Sequence, residues 1–119
     1  MKTLKYIYIY CTYHPFVWVV LFITFAIRAT IKLGHLPVPS LDDPKDLGFE
    51  IHFVLVWLLL VGFLYFVAIF WIVMTIIAKL KKRTDFYLVR NTIIFSIGVI
   101  MMFCLLYIDP YHLVTWFAD

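Results

Sequence analysis

Charge, cysteine and catalytic motifs are all scarce in this chain. Charged residues supply 14% of its 119 positions. No acid falls inside the long apolar runs, so no carboxylate is placed to carry an ion or proton through a membrane. That counts against a pump or secondary transporter. The two cysteines, Cys11 and Cys104, belong to no C-x-x-C pair, which removes thioredoxin-like chemistry. They read as small buried apolar residues near opposite membrane faces, so no disulfide is expected between them. There is no nucleophile elbow, P-loop or dinucleotide fingerprint. The chain is therefore read as non-enzymatic, with no catalytic residue and no cofactor.

What is abundant is apolar surface. The chain is 66% hydrophobic and 20% aromatic, with a mean hydropathy of +1.02. A soluble domain is ordinarily about 45–50% apolar, and one with this excess would aggregate. A helix crossing about 30 Å of hydrocarbon needs about 20 mostly apolar residues. Three stretches qualify: 16–33, 51–78 and 89–108. The second would reach about 42 Å as a helix, so it must tilt or protrude. Barrel strands would show alternating polarity in segments of about ten residues, and these runs are apolar all round. The fold class is thus an all-α membrane protein with three transmembrane helices, forming one membrane domain over 1–119. Residues 1–15 read either as an interfacial helix, with Tyr6, Ile9, Tyr10 and Tyr13 on one face, or as the start of one long kinked helix from about Leu4 to Leu33. Pro15 disfavours helix at His14 and predicts a break or kink there. A cleaved signal peptide would need a small-residue site after the first span, and none follows it.

Lysine and arginine set the orientation. The 79–88 link carries Lys79, Lys81, Lys82 and Arg83, which places it in the cytoplasm with the N-terminus. Beside a span, this run is an orientation and anionic-lipid signal, and no nucleic-acid partner is expected. The loop 34–50 and the tail 109–119 are then outside. In that loop, Gly34 suits a helix C-cap and "PVP" an extended path. Asp43 before Pro44 suits an N-cap with proline at the first helical position, opening a helix whose early turns hold Asp46 and Glu50.

Two constellations stand out at the outer face. Arg28 lies about 9 Å below the end of the first span. It either snorkels to the headgroups or forms a buried charge pair with Glu50 or Asp109. His35, His52 and His112 fall at similar depth, beside carboxylates. They read as interfacial histidines or as ligands of a metal such as Zn²⁺ or Cu²⁺. No H-x-x-x-H pair supports the metal.

Deep in the second span the rings Phe63, Tyr65, Phe66, Phe70 and Trp71 exceed what lipid contact requires. Phe63, Phe66 and Phe70 are the candidate contacts to another chain. The partners expected are the lipid bilayer and either other membrane chains or further copies of this one. The leading expectation is an accessory or stabilising subunit of a larger membrane complex. The alternatives are a small homo-oligomeric channel or transporter, and a redox or metal-linked accessory using the histidine–carboxylate cluster. An immunity-type role also suits the size. Gly34-x-x-Pro37 followed by Asp43-Pro44-Lys45 resembles a loop in small uncharacterised bacterial inner-membrane proteins. That resemblance implies a bacterial inner membrane and no particular activity.

Overall fold

The computed structural model describes residues 2–119. Its main elements are α1 (Lys2–Leu33), α2 (Glu50–Leu80), α3 (Leu88–Ile108) and a short α4 (Leu113–Ala118). No strand occurs among the described residues. Three helical segments, Lys2–Leu33, Glu50–Leu80 and Thr84–Ile108, are long and apolar enough to cross a membrane. The chain is thus an all-α, membrane-embedded protein. The bundle is 53 Å long, so it extends beyond a hydrocarbon layer of about 30 Å. One end carries Asp42, Asp43, Asp46, Glu50 and Asp109 and is called the acidic end. The other carries Lys79, Lys81, Lys82 and Arg83 and is called the basic end.

Helix α1 continues through Pro15, and residues 2–15 share one helix with 16–33. The interfacial reading of 1–15 therefore gives way to the single long helix. A proline costs the helix an N–H and crowds the preceding turn. Packing outweighs that here. Tyr8, Cys11, Thr12, His14 and Pro15 are all buried, against α2 and α3. Tyr8 stacks on Trp71 at 5.8 Å and meets Phe86 at 5.3 Å, so this segment belongs to the bundle and not to the membrane surface.

The α1–α2 seam is held by a line of polar contacts. Tyr8 and Thr75 share a hydroxyl–hydroxyl bond of 3.1 Å, and Trp71 Nε1 donates to Thr12 Oγ1 at 3.0 Å. His14 Nε2 donates to the Leu59 carbonyl at 2.9 Å and Trp18 Nε1 to Val56 at 3.1 Å. From the other side, His52 Nε2 donates to the Leu21 carbonyl at 2.8 Å. A carbonyl only accepts, so His14 carries its proton on Nε2, and Nδ1 takes the Tyr10 hydroxyl at 3.0 Å. In hydrocarbon no water can satisfy such groups, so each polar tip buried here requires a protein partner. Among the described residues, one buried side-chain polar atom lacks a partner: Asn91 Oδ1. Its amide nitrogen donates to the Phe86 carbonyl at 2.8 Å.

Helices α1 and α3 meet closely at Gly98. A Cβ there would lie 2.9 Å from Phe16 Cδ2 and 3.1 Å from Pro15 Cβ. The absence of a side chain lets the two helices touch. Beside this contact α2 contains a π-turn, Phe63–Val67, in which the Ala68 amide reaches back five residues to the Phe63 carbonyl.

At the acidic end Gly34 closes α1 with φ 75° and its amide on the Thr30 carbonyl at 2.9 Å. Asp43 caps Pro44–Leu47 by accepting from the Lys45 amide at 2.8 Å. The helix expected from Pro44 is only this short 3-10 turn. Gly48, at φ 76°, breaks it, and α2 starts afresh at Glu50. The tail folds back as α4 and drives Trp116 and Phe117 into the mouth of the bundle. Both are buried, with Trp116 stacked on Phe25 at 5.8 Å and Phe117 4.8 Å from Phe53.

Candidate functional site

Two places hold unspent chemistry: a polar cleft at the acidic end and an aromatic face halfway along α2.

The cleft forms where α1 passes the start of α2. Its volume is about 350 Å³, and Arg28, Phe49, Glu50 and His52 line it. Arg28 Nη1 donates to His52 Nδ1 at 3.1 Å, and the guanidinium carbon sits 3.9 Å above the Phe49 ring. His52 is thereby fixed, with Nε2–H on Leu21 and Nδ1 accepting. Lys32 donates to the Leu47 carbonyl and lies 5.2 Å from the same Phe49 ring.

The expected buried charge pair does not form. Among the described residues the ion pairs are His35 with Asp42 at 3.8 Å and Arg83 with Asp85 at 2.8 Å. Neither Glu50 nor Asp109 reaches Arg28. Arg28 is engaged by His52 and the Phe49 ring instead. Arg28 lies level with the first turn of α2, because α1 projects beyond that turn, so the guanidinium is at a rim and not under one. Asp109 is engaged elsewhere. It accepts from the Val114 and Thr115 amides and from the Thr115 hydroxyl, and so anchors α4. Burial raises its pKa, but those hydrogen bonds and nearby His112 outweigh burial and hold the carboxyl below its ordinary value.

The three histidines proposed as metal ligands are not brought together. His35 faces Leu36 and Asp42, while His52 faces Leu21 and Arg28. His112 sits in the strained Pro110–His112 turn at φ 56°. Among the described residues no group of three His, Cys, Asp or Glu is placed to hold a metal ion. His14 lies inside the bundle, 3% exposed, with Phe63 stacked on it at 6.2 Å. The spacing carries that signal: His14 and Trp18, polar-tipped and four residues apart, share one helix face, and Tyr8 and Thr12 share another.

The α2 rings divide. Phe63 is 3% exposed and turns inward onto His14 and Phe95. Trp71 stacks on Phe95 at 4.1 Å, and Phe70 packs partly against the core. These fill the chain's own interior. Tyr65 and Phe66 do not: they are 67% and 72% exposed. Tyr65 is fifteen residues from either end of α2, about 22 Å from each. Its hydroxyl makes no hydrogen bond among the described residues. Gly62, three and four residues before them, has nothing within 4 Å of where a Cβ would stand. Unlike Gly98, it is not required by packing within the chain.

No protein-family model matches this chain, and neither a curated protein nor a solved structure does.

Proposed function

We propose that this protein is a non-enzymatic subunit of a bacterial inner-membrane complex, docking a transmembrane helix of a different chain on Gly62, Tyr65 and Phe66. The carrying observation is the unpaired Tyr65 hydroxyl at the middle of α2. Leaving a hydroxyl unpaired in hydrocarbon costs free energy, and a facing helix that supplies an acceptor removes that cost. Gly62 offers the notch that lets such a helix approach. In this reading the basic end and N-terminus are cytoplasmic, and the acidic end is periplasmic, as the lysine and arginine distribution favours.

The test places a photo-crosslinking residue at position 66 in living cells and identifies the adduct. The expected result is one heterologous membrane chain. Its yield should fall about threefold in Tyr65→Phe, the effect of one average interhelical hydrogen bond, and further in Gly62→Leu. Yield should not change in Tyr107→Phe, whose ring is exposed near the end of α3. Adducts only with lipid, or a protein adduct indifferent to Tyr65 and Gly62, would overturn the proposal. An adduct with a second copy would replace the foreign subunit by a homo-oligomer.

A further inference from the structure

We infer that the acidic end holds one zwitterionic aminophospholipid of the phosphatidylethanolamine type, independently of the α2 face. Arg28 and Glu50 line the same cleft of about 350 Å³ without pairing with each other. The guanidinium is a permanent cation whose partners are a neutral histidine nitrogen and an aromatic face. A cation and an anion that share a cleft but leave space between them are complementary to a headgroup with both signs. The phosphate would meet Arg28, whose planar donor fork suits phosphate oxygens, and the ammonium would meet Glu50.

A second cleft supplies the tail. It measures about 360 Å³ and is lined by Tyr13, Phe16, Val17, Val20 and Leu21, with no polar surface. Val17, Leu21, Thr24 and Arg28 recur at three- and four-residue intervals, so both clefts open on one side of α1. His52 joins them, touching Leu21, Thr24 and Arg28 at 2.8, 3.3 and 3.1 Å. Along the helix axis Val20 is about 12 Å and Val17 about 16 Å from Arg28. Half the hydrocarbon thickness is about 15 Å. The separation of the polar and apolar clefts therefore matches one leaflet of acyl chain below its headgroup. Phosphatidylcholine carries a bulky quaternary ammonium that cannot donate a hydrogen bond to Glu50. Phosphatidylglycerol carries no cation for Glu50 at all.

The test reconstitutes the full chain in nanodiscs holding phosphatidylethanolamine, phosphatidylcholine and phosphatidylglycerol in equal amounts. Native mass spectrometry then reads the lipid that stays bound. The expected result is one retained lipid, enriched in phosphatidylethanolamine. Arg28→Gln should reduce its retention about tenfold, the effect of losing a charged hydrogen bond. Glu50→Gln should abolish the preference over phosphatidylcholine while leaving phosphate binding. Val20→Trp should fill the apolar cleft and reduce retention of all three lipids without changing their ratio. Near-UV circular dichroism checks that each variant keeps its tryptophan packing. Glu50 is exposed at a helix start, so its variant remains informative even if Arg28→Gln misfolds. Retained lipid matching the bulk mixture, or a preference unchanged in Glu50→Gln, would overturn the inference. Displacement by tail-free glycerophosphoethanolamine as readily as by whole lipid would overturn the role of the apolar cleft.

Discussion

Gly62 and Gly98 are both helical glycines in spanning helices, and alanine should act on them with opposite signs. In a helix interior Gly→Ala gains about 0.5–1 kcal/mol by lowering the entropy lost on ordering the backbone. At Gly62 nothing lies within 4 Å of the new Cβ, so that gain is the whole effect. At Gly98 the Cβ would meet Phe16 Cδ2 at 2.9 Å and Pro15 Cβ at 3.1 Å. Ordinary carbon–carbon contact begins near 3.5 Å, so the overlaps are about 0.4–0.6 Å. The Phe16 ring can swing aside. Pro15 cannot, because its ring is fixed to the α1 backbone, so α1 and α3 must separate. Overpacking of this kind costs about 1–3 kcal/mol. The propensity gain is common to both variants and cancels in their difference. Gly62→Ala should therefore exceed Gly98→Ala in stability by about 1–3 kcal/mol, or about 5- to 150-fold in the unfolding equilibrium. Titrating both variants with a denaturing detergent, with tryptophan fluorescence as the readout, measures that difference. Equal stabilities, or a more stable Gly98→Ala, would refute a direct α1–α3 contact at this glycine.

Three further outcomes are expected. Trp116→Ala should destabilise the acidic end by about 3–5 kcal/mol, since it removes a fully buried ring and its 2.8 Å bond to the Asp42 carbonyl; a tail-specific protease should then cut within residues 113–118. Asp109 has a depressed pKa in the folded chain, so its contribution is complete above the ordinary carboxylate value and is lost as pH falls through the lower, folded one. Protease sensitivity of the tail should thus appear only on strong acidification, and already at neutral pH in Asp109→Asn; a tail equally protected in both would show that this carboxylate does not anchor it. Single cysteines at Ser40 and Thr84, in a cysteine-free background, should label from opposite sides of the membrane, and labelling of both from one side would defeat the three-span topology.

The spans were legible because a run such as that of α2 has no other stable state in lipid. Their ends were less so. Pro15 argued for a break that the burial of Tyr8, Thr12 and His14 overrides, and such burial depends on residues sixty positions away. The π-turn has no compositional signature; only the excess of rings around Phe63 hinted that one face could not hold them all. That excess resolved into inward Phe63 and outward Phe66, a split that depends on the extra residue in the turn. Of the two readings of Arg28, the pair with Glu50 or Asp109 is absent; the depth of Arg28 was measured from the end of its own helix, whereas the level that matters is the start of α2, where His52 meets it. The fold-back of the tail was not legible because the nine residues after Pro110 carry little periodicity, although Trp116 and Phe117 were conspicuous cargo for a solvated segment.

The line of polar contacts between α1 and α2 bears on how the chain enters the bilayer. Taken alone, α1 would present Thr12, His14 and the indole of Trp18 to acyl chains, and each lowers its tendency to leave the translocon. Their partners at Trp71, Leu59 and Val56 emerge from the ribosome only with α2. The first helix should therefore linger at the lateral gate until the second arrives, and the two should partition into lipid as a hairpin. A truncated chain ending after Arg83 and released from the ribosome should integrate stably, whereas one ending after Gly48 should remain extractable by alkaline carbonate.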